Sequence, residues 1–434
     1  MDALIQSAQP EEQVMSNISR LSPRTAVAAE LPDFVSRRVE RFYNERVRDA
    51  WSGGFITHSD VRPGPNDVVL QSNDYLSIAN HPDIVAAQLA ALRDQGNGLM
   101  MSSVFLREDD PMHQLERELA QSLGYAEGML AQSGYLANTG LLQSVAEERT
   151  PVYIDMLAHT SLWEGIRAAG AKAIPVIHNE PDHMRRQVLR NGPGVIVVDA
   201  VYSTTGALSP LADYATIATE SGSVFIVDES HSLGTHGVHG EGLVAALGLQ
   251  AQVHFVTASL AKTYACRAGF IACPPRLRDY LSFEAFPAIF SSGLLAHEVA
   301  AISASHQVIR SEGWRRTRLH QTTRRVRNAL SAMGYPIGLG SEQIIAFEVG
   351  TEPETLRVRD VLEAHGVFGS VFAAPATAKN RALIRLTLNA GMTDAQIERL
   401  LAVCRDRRNE LDPANWSASR RLRRGASESI EQVA

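Results

Sequence analysis

Val224-Phe225-Ile226-Val227-Asp228-Glu229-Ser230-His231 is the stretch that decides the fold. Four apolar residues, three of them β-branched, run straight into two acids. The run does not alternate, so a strand built from it is buried on both faces. It is also too short for a helix. Six similar runs accompany it: Gly128–Gln132, Val152–Met156, Ala173–Ile177, Val195–Ala200, Val253–Ala258 and Phe270–Cys273. Helix-length segments such as Ser161–Ala169 and Leu211–Glu220 separate most of them. This alternation predicts an α/β fold: a mainly parallel, seven-stranded sheet with helices on both faces. In such sheets ligands sit at the carboxyl ends of strands. Asp228 stands at one of those ends.

Outward from this core the chain changes character. Residues 1–30 are polar and aperiodic and read as a mobile arm, and Asp33 to Arg48 reads as a charged helix. Regularity starts near Asp67. Ile84, Leu89 and Leu92 give a rough helical stripe. Met112, Leu115, Leu119 and Leu123 give a better one, stopped by Gly124. Past residue 300 a long helical stretch, His297 to Met333, precedes a smaller α/β unit with strands at Ile344–Val349 and Leu383–Leu388. There Thr393-Asp394-Ala395-Gln396 is a capping box opening a helix with Ile397, Leu400, Leu401 and Cys404 on one face. The expected division is an arm and helix over 1–65, a large domain over 66–300, a small domain over 301–410 and a basic, disordered tail over 411–434.

The net charge of −7 gives no general attraction to nucleic acid or anionic membrane. No apolar run reaches the ~18 residues of a membrane span. Three cysteines do not make a disulfide framework, and Met1-Asp2-Ala3-Leu4 lacks the basic and apolar regions of a secretion signal. A cytoplasmic protein is expected, with neither nucleic acid nor a metal as partner.

The chain has only three lysines, Lys172, Lys262 and Lys379. Lys262 follows the run Val253–Ala258 in Thr257-Ala258-Ser259-Leu260-Ala261-Lys262-Thr263. An aspartate at one strand end and a lysine after a later strand match the needs of pyridoxal phosphate (PLP). The lysine bonds the cofactor and the aspartate partners its ring nitrogen. A rival reading takes the apolar run plus Asp-Glu as the Walker B strand of an NTPase. That reading requires a G-x-x-x-x-G-K-[ST] loop, and the one Lys-Thr pair, Lys262-Thr263, has no glycine before it. Thr257 and Ser259 offer hydroxyls to a phosphate. Ser133-Gly134-Tyr135 lies between a strand and a helix, where backbone N–H groups favour an anion. His159, four residues after Asp155, can stack on a ring or be structural. Arg385, a charge inside the apolar strand Ile384–Leu388, needs a partner: a substrate carboxylate or an internal ion pair.

In their order these elements resemble the α-oxoamine synthases, a group of fold-type I PLP enzymes. The carriers are Asn73-Asp74-Tyr75-Leu76, Ser133-Gly134-Tyr135, Asp155-x-x-x-His159, Asp228-Glu229-Ser230-His231, Ser259-x-x-Lys262, Phe290-Ser291-Ser292 and Arg385, spread over 66–408. Longer stretches, including His159-x-Ser161-Leu162-Trp163-Glu164-Gly165 and Pro287-Ala288-Ile289-Phe290-Ser291-Ser292, resemble the α-hydroxyketone autoinducer synthases of quorum sensing. Ala261 stands where the wider group has glycine, and Thr160 where it has alanine. Both departures favour the autoinducer branch.

The resemblance implies that His159 stacks on PLP, Asp228 pairs with its ring nitrogen, and His231 and Ser203 lie near its phenolic oxygen. It places Ser133, Gly134, Tyr135 and Ser259 at the phosphate, with Ser291 or Ser292 supplied by the second subunit of a homodimer whose sites are shared. Asn73, Tyr75 and Arg385 fall on the substrate side. Phe283, Phe286, Pro287 and Phe290 either line an acyl channel or are core aromatics. The implied activity joins an amino donor, 2-aminobutyrate or S-adenosylmethionine, to a medium-chain acyl-CoA, giving an aminoketone or hydroxyketone signal. A primary-metabolism synthase of the same group and a non-catalytic protein of the PLP fold are the alternatives.

Overall fold

The computed structural model describes residues 29–98 and 100–421. The first 28 residues of the expected arm and residues 422–434 of the expected tail lie outside the described residues. The described residues divide into two compact units, with the boundary between Phe55 and Ile56. In the first, the helix Asp33–Arg41 continues as a π-helical stretch, Phe42–Ala50.

Among its described residues the second unit has twelve strands: β1 (Val68–Val69), β2 (Glu127–Ala131), β3 (Pro151–Asp155), β4 (Lys172–Val176), β5 (Val195–Asp199), β6 (Val224–Asp228), β7 (Phe255–Ser259), β8 (Gly269–Cys273), β9 (Ile344–Gly350), β10 (Val367–Phe368), β11 (Ser370–Phe372) and β12 (Ala382–Thr387). Seven form the large sheet, in the order β2-β8-β7-β6-β5-β3-β4. All seven apolar runs are strands of it. β8 runs against both β2 and β7, and the other pairings are parallel. Burial on both faces explains the non-alternating sequence. In β5, Val195 and Val197 join one core cluster while Ile196 and Val198 join the other. The first cluster packs the helices Gly134–Val145 and Thr160–Ala168 through Leu141, Leu142, Leu162 and Ile166. The second packs Pro111–Leu123 through the expected stripe Met112, Leu115, Leu119 and Leu123, closed by Gly124 in the left-handed conformation.

A third cluster gathers around the antiparallel sheet β11-β12-β9 and includes Val68 and Leu70 from the start of the unit. The capping box forms as expected: Thr393 opens the helix Asp394–Asp406, and Ile397, Leu400, Leu401 and Cys404 are buried.

Three expectations need correction. The stretch His297 to Met333 is two helices, Ala296–Ser311 and Trp314–Ala332, broken at Glu312-Gly313. In the helix Pro82–Gln95 the buried positions are Ile84 and Ala91, while Leu89 and Leu92 face outward. Residues 411–421 belong to the packed structure: Leu411, Trp416 and Ala418 are buried, and Arg421 pairs with Glu348 of β9. Trp416 fills the third cluster beside Phe347 and Tyr335.

Candidate active site

The carboxyl ends of β6 and β7 place Asp228 and, three residues past β7, Lys262 beside each other's strands. They line one cleft of about 180 Å³ with Ser133, Gly134, Tyr135, His159, His231 and Ser259. Four residues not expected from sequence also line it: Asn138, Asp199, Val201 and Ser230. A larger hollow of about 300 Å³, beside Met101, Leu106, Glu118 and Leu294, contains none of these groups.

The Asp228 carboxylate is buried and makes no ion pair among the described residues. Its Oδ1 accepts from the Ser230 amide at 2.9 Å and the Ser230 hydroxyl at 2.6 Å, and its Oδ2 accepts from Asn138 Nδ2 at 2.7 Å. Such a buried acid suits a cationic ligand atom. Ser133 caps the helix Gly134–Val145, its hydroxyl accepting from the Leu136 amide at 3.2 Å. Glycine is needed next to it: a Cβ at Gly134 would stand 2.5 Å from Ser259 Cβ. Backbone and helix N-terminus thus come close to the Ser259 end of β7, a cradle for an anion.

Burial, and then the Arg385 guanidinium, holds the Lys262 ammonium below the ordinary lysine value, with Asp228 acting the other way. Burial keeps His231 neutral, well below the ordinary imidazole value, and Lys262, Arg385 and His159 add to the effect. Tyr75 OH and His231 Nδ1 are 2.5 Å apart. Burial, then the Asp228 charge, raises the acid of Asp199 well above the ordinary carboxyl value.

Arg385 on β12 forms a second group beside this cleft. Its guanidinium donates to the Ser203 carbonyl and to Asn73 Oδ1, both at 3.0 Å, and lies 4.6 Å from the Phe372 ring centroid. No carboxylate pairs with it among the described residues, and its buried Nε has no partner. The internal ion pair weighed from sequence is absent there. Thr257 is another departure: fully buried, it donates its proton to Asn138 Oδ1 at 2.6 Å and stands beside Asp228 on the neighbouring strand, outside the cleft lining.

Ser291 donates to the Pro287 carbonyl, and the Ser292 carbonyl accepts from Gln132, next to Ser133. Phe283, Phe286 and Phe290 are 68%, 54% and 77% exposed, which removes the reading of them as core aromatics.

The model of the family described as aminotransferase class I and II matches residues 65–403. The chain is 46% identical to the CAI-1 autoinducer synthase of Vibrio campbellii, over 87% of this chain and 96% of that protein. It is 30% identical to the 8-amino-7-oxononanoate synthase of Pseudomonas aeruginosa, over 84% and 91%. The chain belongs to the α-oxoamine synthases. Among solved structures, a serine palmitoyltransferase of Sphingomonas wittichii superposes with a TM-score of 0.77 at 24% identity, over 87% of this chain and 97% of that one. An 8-amino-7-oxononanoate synthase of Francisella tularensis gives 0.70 at 20%, over 79% and 98%. The fold is that of the fold-type I PLP transferases, and like other α-oxoamine synthases this is a PLP-dependent, acyltransferase-type enzyme.

The residues fit that cofactor on their own terms. Asp228 offers a buried carboxyl group with no ion-pair partner among the described residues, Gly134 leaves room that a Cβ would fill, and Lys262 is the one lysine in the cleft. Asn138 and Ser230 were not singled out from sequence. Ser230 lay inside the quoted Asp-Glu-Ser-His run. For Asn138 the available signal was a polar residue on the helix that opens at Gly134, one turn past Ser133.

Proposed function

We propose that this α-oxoamine synthase makes a quorum-sensing autoinducer by joining a small amino donor to a medium-chain acyl-CoA. The observation that carries the amino-acid half is Arg385, a buried guanidinium with an unpartnered Nε and no carboxylate of its own. The 46% identity to the CAI-1 autoinducer synthase supports the product class.

PLP, when bound, supplies the electron sink that makes the Cα–H bond of an amino acid acidic. Asp228 would hold the protonated ring nitrogen, His159 a ring face, and His231 with Ser203 the phenolic side. Ser133, Gly134, Tyr135 and Ser259 would hold the phosphate, joined by Ser291 or Ser292 of a second copy. Arg385, with Asn73 and Tyr75 beside it, orients the substrate carboxylate. Lys262 Nζ, its ammonium form disfavoured by burial, takes up the Cα proton. The net change forms a bond from Cα to the acyl carbonyl carbon, releases the CoA thiol and then loses CO2, leaving an α-aminoketone. The exposed Phe286 and Phe290, 5.6 Å apart and edge-on, are the proposed apolar wall for the acyl chain. The cytoplasm, where acyl-CoA is available, is the compartment this reading requires. No helix among the described residues is long and apolar enough to cross a membrane.

The test is kcat/KM for acetyl-, succinyl-, octanoyl- and decanoyl-CoA, each with 2-aminobutyrate, S-adenosylmethionine, glycine and alanine, with products identified by mass spectrometry. Each buried methylene is worth ~0.8 kcal/mol, so the longer chains should win. Best activity with a short acyl-CoA and glycine would overturn the autoinducer reading in favour of primary metabolism. Absence of a lysine-dependent PLP absorbance band, compared with Lys262→Ala, would overturn catalysis altogether.

A further inference from the structure

The side chain of Asn138 is almost fully buried, and in one orientation both of its N–H donors and its carbonyl oxygen are hydrogen-bonded. Oδ1 accepts from Thr257 Oγ1 at 2.6 Å. Nδ2 donates to Asp228 Oδ2 at 2.7 Å and to Ser161 Oγ at 2.9 Å. Turning the amide over would press its carbonyl oxygen against the Asp228 carboxylate, acceptor on acceptor. Asp228 therefore sets the amide's orientation.

The next link follows from counting protons. Ser161 Oγ accepts from Asn138, so its one proton is free to go to His159 Nδ1, 2.7 Å away. The Ser161 backbone N–H points at the same Nδ1 from 3.3 Å, because the His159 imidazole caps the helix Thr160–Ala168. A backbone N–H cannot accept. Nδ1 therefore carries the lone pair, and the ring proton sits on Nε2.

We propose that Asn138 is a positioning residue that couples the two groups flanking the cofactor ring. It aims the Asp228 carboxylate and, through Ser161, keeps the His159 imidazole in its Nε2–H form. The proposal rests on the reading of Asp228 and His159 as groups that hold PLP. An imidazolium at His159 would need a proton on Nδ1, where two donors already point. His159 thus stays neutral where it would meet the ring face, and Asp228 would be the group that meets the ring nitrogen. Burial acts in the same direction on His159, helped by Lys262 and opposed by Asp228. The other groups facing His159 are Asp199, whose Oδ1 accepts the His159 amide at 3.1 Å, the Tyr135 ring, edge-on at 6.5 Å, and His231, whose charged form His159 disfavours. Ser230 completes the frame: it holds Asp228 Oδ1, and its hydroxyl accepts from the Ser259 amide at 2.8 Å.

The test uses the full chain without cofactor, labelled with 15N-histidine, so that it does not depend on turnover. The His159 resonances are identified by their loss in His159→Asn. In the unmodified protein His159 should show a single Nε2–H tautomer that persists as the pH falls through 6.5, the ordinary imidazole value. Ser161→Ala and Asn138→Ala should each shift the Nδ1 resonance and move protonation back toward that value. The double variant should match Ser161→Ala alone, because Asn138 reaches His159 only through Ser161. Unchanged His159 resonances in a folded variant, or additive effects, would overturn the coupling. If Asn138→Ala does not fold, Asn138→Ser, which keeps a small polar group but cannot bridge Asp228 and Ser161, takes its place in the comparison. Should the acyl-CoA panel fail while the His159 shifts occur, the proposed reaction falls and the coupling stands. The reverse pattern removes the coupling only.

Discussion

A buried guanidinium whose Nε has no partner is poorly satisfied unless a ligand completes it, since an unmet buried donor costs roughly 1–3 kcal/mol. Arg385 is in that position. Arg385→Lys keeps the charge but loses the planar fork. We predict a roughly 10- to 100-fold fall in kcat/KM for the amino donor, mostly through KM, corresponding to the ~1.5–3 kcal/mol of a charge-assisted bond. Steady-state kinetics at varied amino donor checks it, and an unchanged KM would remove Arg385 from substrate binding. At this scale the sequence was informative where a residue is rare or misplaced. Lys262 is one of three lysines, Asp228 ends an apolar run, and Arg385 sits inside a strand. Asn138, Ser161 and Thr257 carried no such mark. Asn138 meets Ser161, Asp228 and Thr257 across 23, 90 and 119 residues. Separations of that size leave no periodicity or spacing to read.

The elements that build the site meet where side chains are smallest. At Gly134 an added Cβ would stand 2.5 Å from Ser259 Cβ and 2.7 Å from its Cα. The second atom is backbone and cannot swing away. Gly134→Ala should therefore push the helix Gly134–Val145 off the end of β7, at about 1–3 kcal/mol for an overpacked contact. A lowered Tm with weaker PLP binding, read by absorbance titration, is the expected result. Normal cofactor affinity would show that the cradle tolerates the shift. The strands were legible because burial on both faces leaves unbroken apolar runs, and the helix Asp394–Asp406 because its capping box is local. The outward turn of Leu89 and Leu92 was not, since a stripe shows that a face exists and not whether it is covered. Nor was the packing of residues 411–421. That depends on Trp416 meeting Phe347 and Tyr335, which are distant in sequence.

For the molecule as a whole, the proposed homodimer shares its sites. Mixing Lys262→Ala chains with Ser291→Ala/Ser292→Ala chains should then restore up to about a quarter of the sites, those in the half of a random mixture that is heterodimeric. An active monomer in sedimentation would overturn this. A second molecular property is acid sensitivity. His306 is buried against Tyr264, whose OH is 3.0 Å from Nδ1, and burial followed by Arg310 pushes its value down to about 4. The unfolded chain therefore binds a proton that the fold refuses. Stability from this group is complete above the ordinary value of 6.5, falls as the pH drops, and levels off below about 4. At pH 5 the loss is about 2 kcal/mol. Other buried histidines act in the same direction, so in urea unfolding the stability lost between pH 7 and pH 5 should be smaller by about that increment in His306→Gln than in the unmodified protein. The bond from Arg385 to Asn73 spans 312 residues. It closes only after the last strand of the small sheet has been synthesised, so a chain still on the ribosome lacks the proposed carboxylate clamp even when the large sheet has formed. Contacts this distant in sequence are among the last to be made. Prematurely terminated chains, even those long enough to contain both Asp228 and Lys262, should accordingly be unable to capture an amino donor.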